Sequence, residues 1–322
     1  MLCIGMKFTA AQSAGGVCYG MIGDNLPSKQ DTVALFNSNG ISRMRIYFPV
    51  TELFEALKGS NIELIVDVAR ESLQAISSDP NAANAWVNTN IKPYAQDVKF
   101  KYITTGNEIH PGDAEAQFVF SAMQNIHNAL AASNLGQIKV STAIDLSLLG
   151  NSYPPSAGAF SESATGYMQQ IINFLVPNGS PLLVNIYPYF AYIGNQKDIP
   201  LEYALFTQQG NNDVGYQNLF DAMLDSTYAA LEKIGGNGLQ IVVSESGWPS
   251  SGGVGASIDN AGRYYQNLIN HVKGGTPMKP NGPIETYLFA MYDEDQKPGA
   301  ETERHFGIYH ADKSLKYALN FK

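Results

Sequence analysis

The 322 residues include 20 Lys and Arg against 29 Asp and Glu, a net charge of −9, and only 15% are charged while 44% are hydrophobic. An acidic chain repels phosphate backbones, so nucleic acid is not expected as a partner, and the low charged fraction excludes a disordered chain. No stretch reaches the roughly 18 apolar residues of a spanning helix, so no membrane is expected as a partner either.

Residues 1–14 read MLCIGMKFTAAQSA, a short apolar run followed by small residues. This is the pattern of a secretory signal remnant over residues 1–15, with cleavage near Ala11 or Ala14. Lys7 interrupts the run and no basic segment precedes it, so a disordered cytosolic N-terminus is the competing reading. With Cys3 in the leader, Cys18 stands alone, and it is expected as a buried apolar residue on a strand rather than half of a disulfide.

From Gly16 onward one alternation runs to the end of the chain. β-rich segments occur at 17–19, 43–47, 63–68, 101–107, 139–145, 182–187, 240–244 and 285–292. Several are continuous apolar runs, as parallel strands covered on both faces require. Helical patterns fall between them at 28–37, 80–90, 114–133, 160–175, 217–234 and 257–273. Asp79 before Pro80 is a cap and first-turn pair, and the glycine pairs at 235–236 and 274–275 stop the last two helices. Eight strand–helix units without a composition break predict a single-domain α/β fold over 16–322, a (β/α)8 TIM barrel. The Pro- and Gly-rich segments 153–159 and 274–283 fit as loops within it.

Barrel enzymes place their chemistry at the C-terminal ends of strands. Strand four ends Thr105-Gly106-Asn107-Glu108, and strand seven runs into Ser244-Glu245-Ser246-Gly247-Trp248-Pro249. Strand six ends Asn185-Ile186-Tyr187-Pro188-Tyr189-Phe190, and strand two ends Arg45-Ile46-Tyr47. Two carboxylates that end apolar strands and face each other across the mouth suit glycoside hydrolysis, in which one protonates the leaving oxygen and the other attacks the anomeric carbon. Asn107 is placed to bond a sugar 2-hydroxyl, and Tyr47, Tyr187, Phe190 and Trp248 offer flat faces for sugar rings. The structural alternative is that Glu108 and Glu245 cap helices or pair with Arg45 or Arg43.

These residues resemble glycoside hydrolase family 17, the plant endo-1,3-β-glucanases of the pathogenesis-related type. The carriers are Gly16-Val17-Cys18-Tyr19-Gly20, Gly106-Asn107-Glu108, Lys139-Val140-Ser141-Thr142-Ala143, the stretch from Asn151 to Gly158, Asn185 to Phe190, and Val243 to Ser250. The resemblance implies a retaining endo-hydrolase of 1,3-β-glucans with Glu245 as nucleophile and Glu108 as acid/base. It implies a charged cluster of Glu294, Lys297 and Glu303 near the site, and aromatics Tyr47 and Tyr187 beside the cleavage point. It also implies secretion to the cell wall rather than the vacuole, a defence role, a β-glucan partner, a monomer and no cofactor. One position departs: the family usually reads Arg-x-Tyr-Asp-Pro where this chain has Arg45-Ile46-Tyr47-Phe48-Pro49. Loss of that carboxylate is expected to lower activity or change subsite preference.

Other signals are weaker. The glycine-rich 251–255 loop lacks a basic neighbour before Arg263, which disfavours a phosphate site. His110, His127, His271, His305 and His310 show no metal-ligand spacing, and Ser244 and Ser246 do not sit in a Gly-x-Ser-x-Gly elbow. Asn178-Gly179-Ser180 is a glycosylation sequon followed by Pro181. Two other functions compete: hydrolysis of mixed 1,3;1,4-β-glucan on the same scaffold, and glucan binding without turnover.

Overall fold

The structure, a computed structural model, describes residues 15–321. The segment read as a leader lies outside them up to residue 14, and Gly15 already belongs to the first strand.

Eight parallel strands close into a barrel: β1 (Gly15–Cys18), β2 (Arg43–Ile46), β3 (Glu63–Val68), β4 (Lys99–Asn107), β5 (Lys139–Asp145), β6 (Leu182–Asn185), β7 (Ile241–Ser246) and β8 (Thr286–Leu288). Their order around the barrel is their order in the chain, and β8 pairs back onto β1 through Gly15 and Thr286. Among the described residues the strands alternate with ten α-helices: α1 (Lys29–Ser38), α2 (Thr51–Leu57), α3 (Leu73–Ser78), α4 (Pro80–Asn90), α5 (Ala116–Ala132), α6 (Glu162–Asn178), α7 (Pro188–Gly194), α8 (Leu201–Ala204), α9 (Leu219–Lys233) and α10 (Ile258–His271). The single-domain barrel expected from the alternation is what the chain forms.

Local chemistry sets the helix boundaries. Ser28, Asp79, Ser161, Asn218 and Ser257 each accept a backbone N–H of the first turn that has no partner within the helix. Gly179 ends α6 at φ 57°, a left-handed conformation that glycine adopts without a Cβ penalty. The eighth strand is shorter than the 285–292 segment suggested. Beyond Leu288 the backbone turns to other partners: Ala290 N–H donates to Phe306 and Met291 N–H to Cys18. A small antiparallel hairpin, Leu149–Asn151 with Ala159–Phe160, sits in the β5–α6 connection.

Pairing register sorts the barrel interior into layers. Near its base Arg43 donates to Glu63 at 2.9 Å and Lys101 bridges Glu63 and Glu285 at 2.9 and 3.1 Å. Above them Cys18, Ile65, Ala143, Leu183 and Val242 form an apolar plug, all nearly or fully buried. Cys18 is a packed apolar residue as expected, its thiol donating to the Ser244 carbonyl at 3.2 Å. The layer above is polar again and forms the floor of the cleft.

The 274–283 segment is fastened to α9 by one carboxylate. Asp225 is fully buried and accepts from Tyr216 Oη at 2.9 Å, Thr276 Oγ1 at 2.5 Å and Met278 N–H at 2.9 Å. Burial pushes this carboxyl up, and its three donors oppose that. Asp225→Ala leaves those donors unpaired in the interior and is expected to cost about 2–4 kcal/mol in chemical denaturation. An unchanged denaturation midpoint would show that the staple contributes nothing.

Candidate active site

The cleft floor is built around one cation. Arg45 points inward from β2 and is fully buried. Its Nη1 donates to Glu245 Oε1 at 2.9 Å, Asn185 Oδ1 at 3.2 Å and the Ser244 carbonyl at 3.3 Å. Its Nη2 donates to Asp67 Oδ2 at 2.8 Å and Asn107 Oδ1 at 2.9 Å. Burial opposes the guanidinium charge, but the carboxylates of Asp67 and Glu245 hold its pKa well above the usual range. Asp67 is held in turn by a short hydrogen bond from Thr104.

Glu245 accepts three side-chain donors. Besides Arg45, Tyr47 Oη donates to Oε1 at 2.8 Å and Tyr187 Oη to Oε2 at 2.6 Å. Burial and the charge of Glu245 push both phenols well above the ordinary tyrosine range, so they remain donors. The Arg45 guanidinium also lies over the Tyr47 ring at 4.8 Å. Oε1 and Oε2 are therefore fixed in place with their bonding capacity largely used.

Glu108 is in a different environment. Its Oε1 accepts from Asn185 Nδ2 at 2.8 Å. Burial first, and then the charge of Glu245, push its carboxyl up from 4.5 to about 7. Asn185 joins the two carboxylates, because its Nδ2 serves Glu108 while its Oδ1 accepts from the Arg45 that holds Glu245. Ser244 Oγ donates to the same Oδ1 at 2.7 Å, which fixes which way the amide faces.

Both carboxylates owe their aim to irregular strands. On β7, Val243 and Glu245 oppose the consecutive residues Val184 and Asn185, so the strand carries one extra residue at Ser244. The same extra residue appears against β8. Three positions apart in a regular strand, Val242 and Glu245 would face opposite sides of the sheet; the bulge lets both face the barrel interior. On β4, Thr104 and Asn107 oppose Ser141 and Ala143, which is again one residue too many. Gly106 absorbs that bulge at φ 93°, and Glu108 follows at φ 51°, a left-handed conformation that a glutamate rarely adopts.

The cleft has a volume of about 640 Å³. Tyr47, Asn107, Tyr187, Phe190, Glu294, Lys297 and Glu303 all line it with the two glutamates. Glu294 accepts Ile22 N–H at 3.0 Å, and burial raises its carboxyl pKa. Lys297 pairs with Glu303 at 3.0 Å and covers the Phe289 ring at 4.3 Å. Trp248 is the exception and is corrected here. It is fully buried beneath the rim, stacked on Tyr192 at 5.9 Å, with its indole N–H donating to the Gly255 carbonyl at 2.9 Å. It supports the wall and presents no face to a ligand.

Sequence reasoning missed other members of the site. Asp145 and Ser147 line the cleft beside Glu108, and His110 bonds both, each at 2.9 Å. Arg45 entered only as a competing partner for the glutamates, although an arginine inside an otherwise apolar strand is itself a signal of a buried charge network. Asp67, inside the apolar run of β3, carries the same signal. Among the described residues no group of three or more His, Cys, Asp or Glu side chains is arranged to hold a metal ion, and no helix is long and apolar enough to cross a membrane.

Comparison with known proteins agrees with this geometry. Residues 16–321 match the family described as glycosyl hydrolases family 17. A glucan endo-1,3-beta-glucosidase of Nicotiana tabacum is 53% identical over the whole of this chain and 93% of its own length. A Vitis vinifera protein of the same name is 55% identical over 97% of this chain and 92% of its own. Among solved structures, CJP38, a beta-1,3-glucanase and pollen allergen of Cryptomeria japonica, superposes with a TM-score of 0.92 at 43% identity, covering 95% of this chain and 98% of its own. One of two plant beta-glucan endohydrolases with distinct substrate specificities superposes with a TM-score of 0.91 at 42% identity, covering 95% and 99%. Matched along its whole described length in sequence and in fold, the chain belongs to glycosyl hydrolases family 17.

Proposed function

We propose that this protein is an endo-hydrolase of 1,3-β-glucans that works with retention, using Glu245 as nucleophile and Glu108 as acid/base. The observation that carries the reading is the unequal treatment of two neighbouring carboxyls: Glu245 accepts three side-chain donors, Arg45 among them, whereas Glu108 is pushed up to about 7. A carboxyl that keeps its proton near neutral pH suits the acid, and one held in place by donors suits the nucleophile.

In the first step Glu108 gives its proton to the glycosidic oxygen as the C–O bond breaks, and a Glu245 oxygen bonds to the anomeric carbon. In the second, Glu108, now a carboxylate, takes a proton from water, and that water displaces Glu245. Tyr47, Tyr187 and Arg45 keep Glu245 aimed throughout and stabilise it again as it leaves. Asn107 and Asn185 are within reach of hydroxyls near the anomeric carbon. The relatives' names support 1,3-linked glucan over the mixed-linkage alternative. A destination other than the vacuole is supported by the acidic balance of −9 and by 55% identity to an acidic tobacco isoform, against 49% to one named as basic and vacuolar.

Glu245→Gln is expected to reduce reducing-end release from laminarin by at least about 10³-fold while the fold is retained. Cleavage of barley mixed-linkage glucan in preference to laminarin would reassign the substrate and keep the mechanism. The pH profile follows from Glu108. As the acid it must be protonated, so kcat/KM is expected to fall as pH rises through about 7. A rate that still climbs above pH 8 would remove Glu108 from that role.

The same shift has a thermodynamic side. The folded state binds a proton at Glu108 that the unfolded chain releases near its ordinary value. Stability therefore declines from about pH 4.5 to about pH 7 and stays reduced above, where a charge is buried. Glu108→Gln is expected to melt a few degrees higher than the wild type at pH 8, a gain that shrinks below pH 5. Equal melting temperatures at pH 8 would mean that the buried charge imposes no such penalty.

A further inference from the structure

The cleft wall at the β1 and β2 strand ends differs from the rest of the site. Phe48 lies one residue beyond Tyr47, whose hydroxyl holds Glu245, and its side chain is 40% exposed. Ile22, from the β1–α1 connection, is 45% exposed and lines the same cleft, as do Met21 and Gly20. Every other exposed aromatic of the cleft is anchored: Phe190, also 40% exposed, has ring contacts with Tyr187 at 5.4 Å, Tyr189 at 5.3 Å and Phe306 at 6.3 Å. Among the described residues no aromatic ring lies against Phe48 as Tyr187, Tyr189 and Phe306 lie against Phe190. Their apolar area is thus left open to the cleft, with the cost that exposure carries.

This inference rests on the glucan-hydrolase reading. A β-linked glucosyl ring has its hydroxyls equatorial and its ring C–H bonds axial, so each face offers an apolar patch of about the size of a phenyl ring. We propose that Phe48, backed by Ile22, is the stacking platform for a glucosyl unit away from the scissile bond, and that it sets the preference of this enzyme for long chains. A phenyl face is indifferent to the charge of the sugar and strips water from it on contact, which suits a neutral polymer. A carboxylate at the same point would instead seek hydroxyl donors and keep its own water. A stacking contact of this kind is made equally in ground and transition state, so it acts on binding rather than on chemistry.

The test compares wild type, Phe48→Ala, Phe48→Asp and Phe48→Trp on laminarin and on laminari-oligosaccharides of increasing length. Phe48→Ala and Phe48→Asp are expected to raise KM for laminarin about tenfold with kcat within about twofold, and Phe48→Trp to stay near wild type. The oligosaccharides should reveal a length below which the variants and the wild type no longer differ. A fall in kcat at unchanged KM would overturn the platform, because Phe48 would then act on Glu245 through Tyr47. Equal kinetics for all variants at every length would overturn it too. Calorimetric titration of laminari-oligosaccharides into Glu245→Gln, with and without Phe48→Ala, separates this inference from the enzymatic one. If the wild type fails to cleave laminarin, the hydrolase reading falls, whereas unchanged affinity on removing Phe48 is what defeats the platform.

Discussion

A guanidinium sealed inside a barrel is the constraint on which the site rests. Arg45 has no contact with solvent, so its charge persists only because carboxylates and amide oxygens surround it. Each of those partners is thereby positioned. Glu245 and Asp67 supply the compensating charge, and Asn107 and Asn185 turn their carbonyl oxygens toward the cation. The Nδ2 of Asn185 is left facing Glu108 as a consequence. The arrangement of Glu108 and Glu245 thus follows from the need to solvate one buried ion.

This explains why the two glutamates, alike in sequence context, differ so much in chemistry. Proximity to Arg45 is not shared equally. Glu245 takes the direct contact, and Glu108 is reached only through a neutral amide. The second carboxyl therefore experiences burial and a neighbouring negative charge with little relief, which is the balance that lifts a carboxyl toward neutral pH. The tyrosines extend the asymmetry, since both hydroxyls point at Glu245.

Much of this was legible in the sequence. Strand-end positions identified Glu108 and Glu245, and capping chemistry marked the helix starts at Ser28, Asp79 and Ser257. Pairing of a glutamate with Arg45 stood as the rival to a catalytic task, yet one geometry accommodates both. What was not legible depends on register and on distant partners. Helices of four to seven residues such as α2, α7 and α8 are too short to display a period. Trp248 follows a strand end just as the cleft aromatics do, and only its packing between Tyr192 and Tyr264 reveals that it faces the wall. The Asp145, Ser147 and His110 group joins two strand ends that nothing in the linear chain relates.

The extra residues in β4 and β7 carry a consequence for how such a site can be lost or changed. Side-chain direction along a strand behaves like a reading frame with a period of two. A one-residue bulge shifts the frame for everything downstream. Pairing β7 as a regular strand, with its sequence unchanged, would send Glu245 toward the helical layer and bring Ser244 inward in its place. The position of the bulge is therefore as much a part of the chemistry as the identity of the glutamate. Two chains that share every cleft residue would not share the site if one of them paired this strand without the bulge.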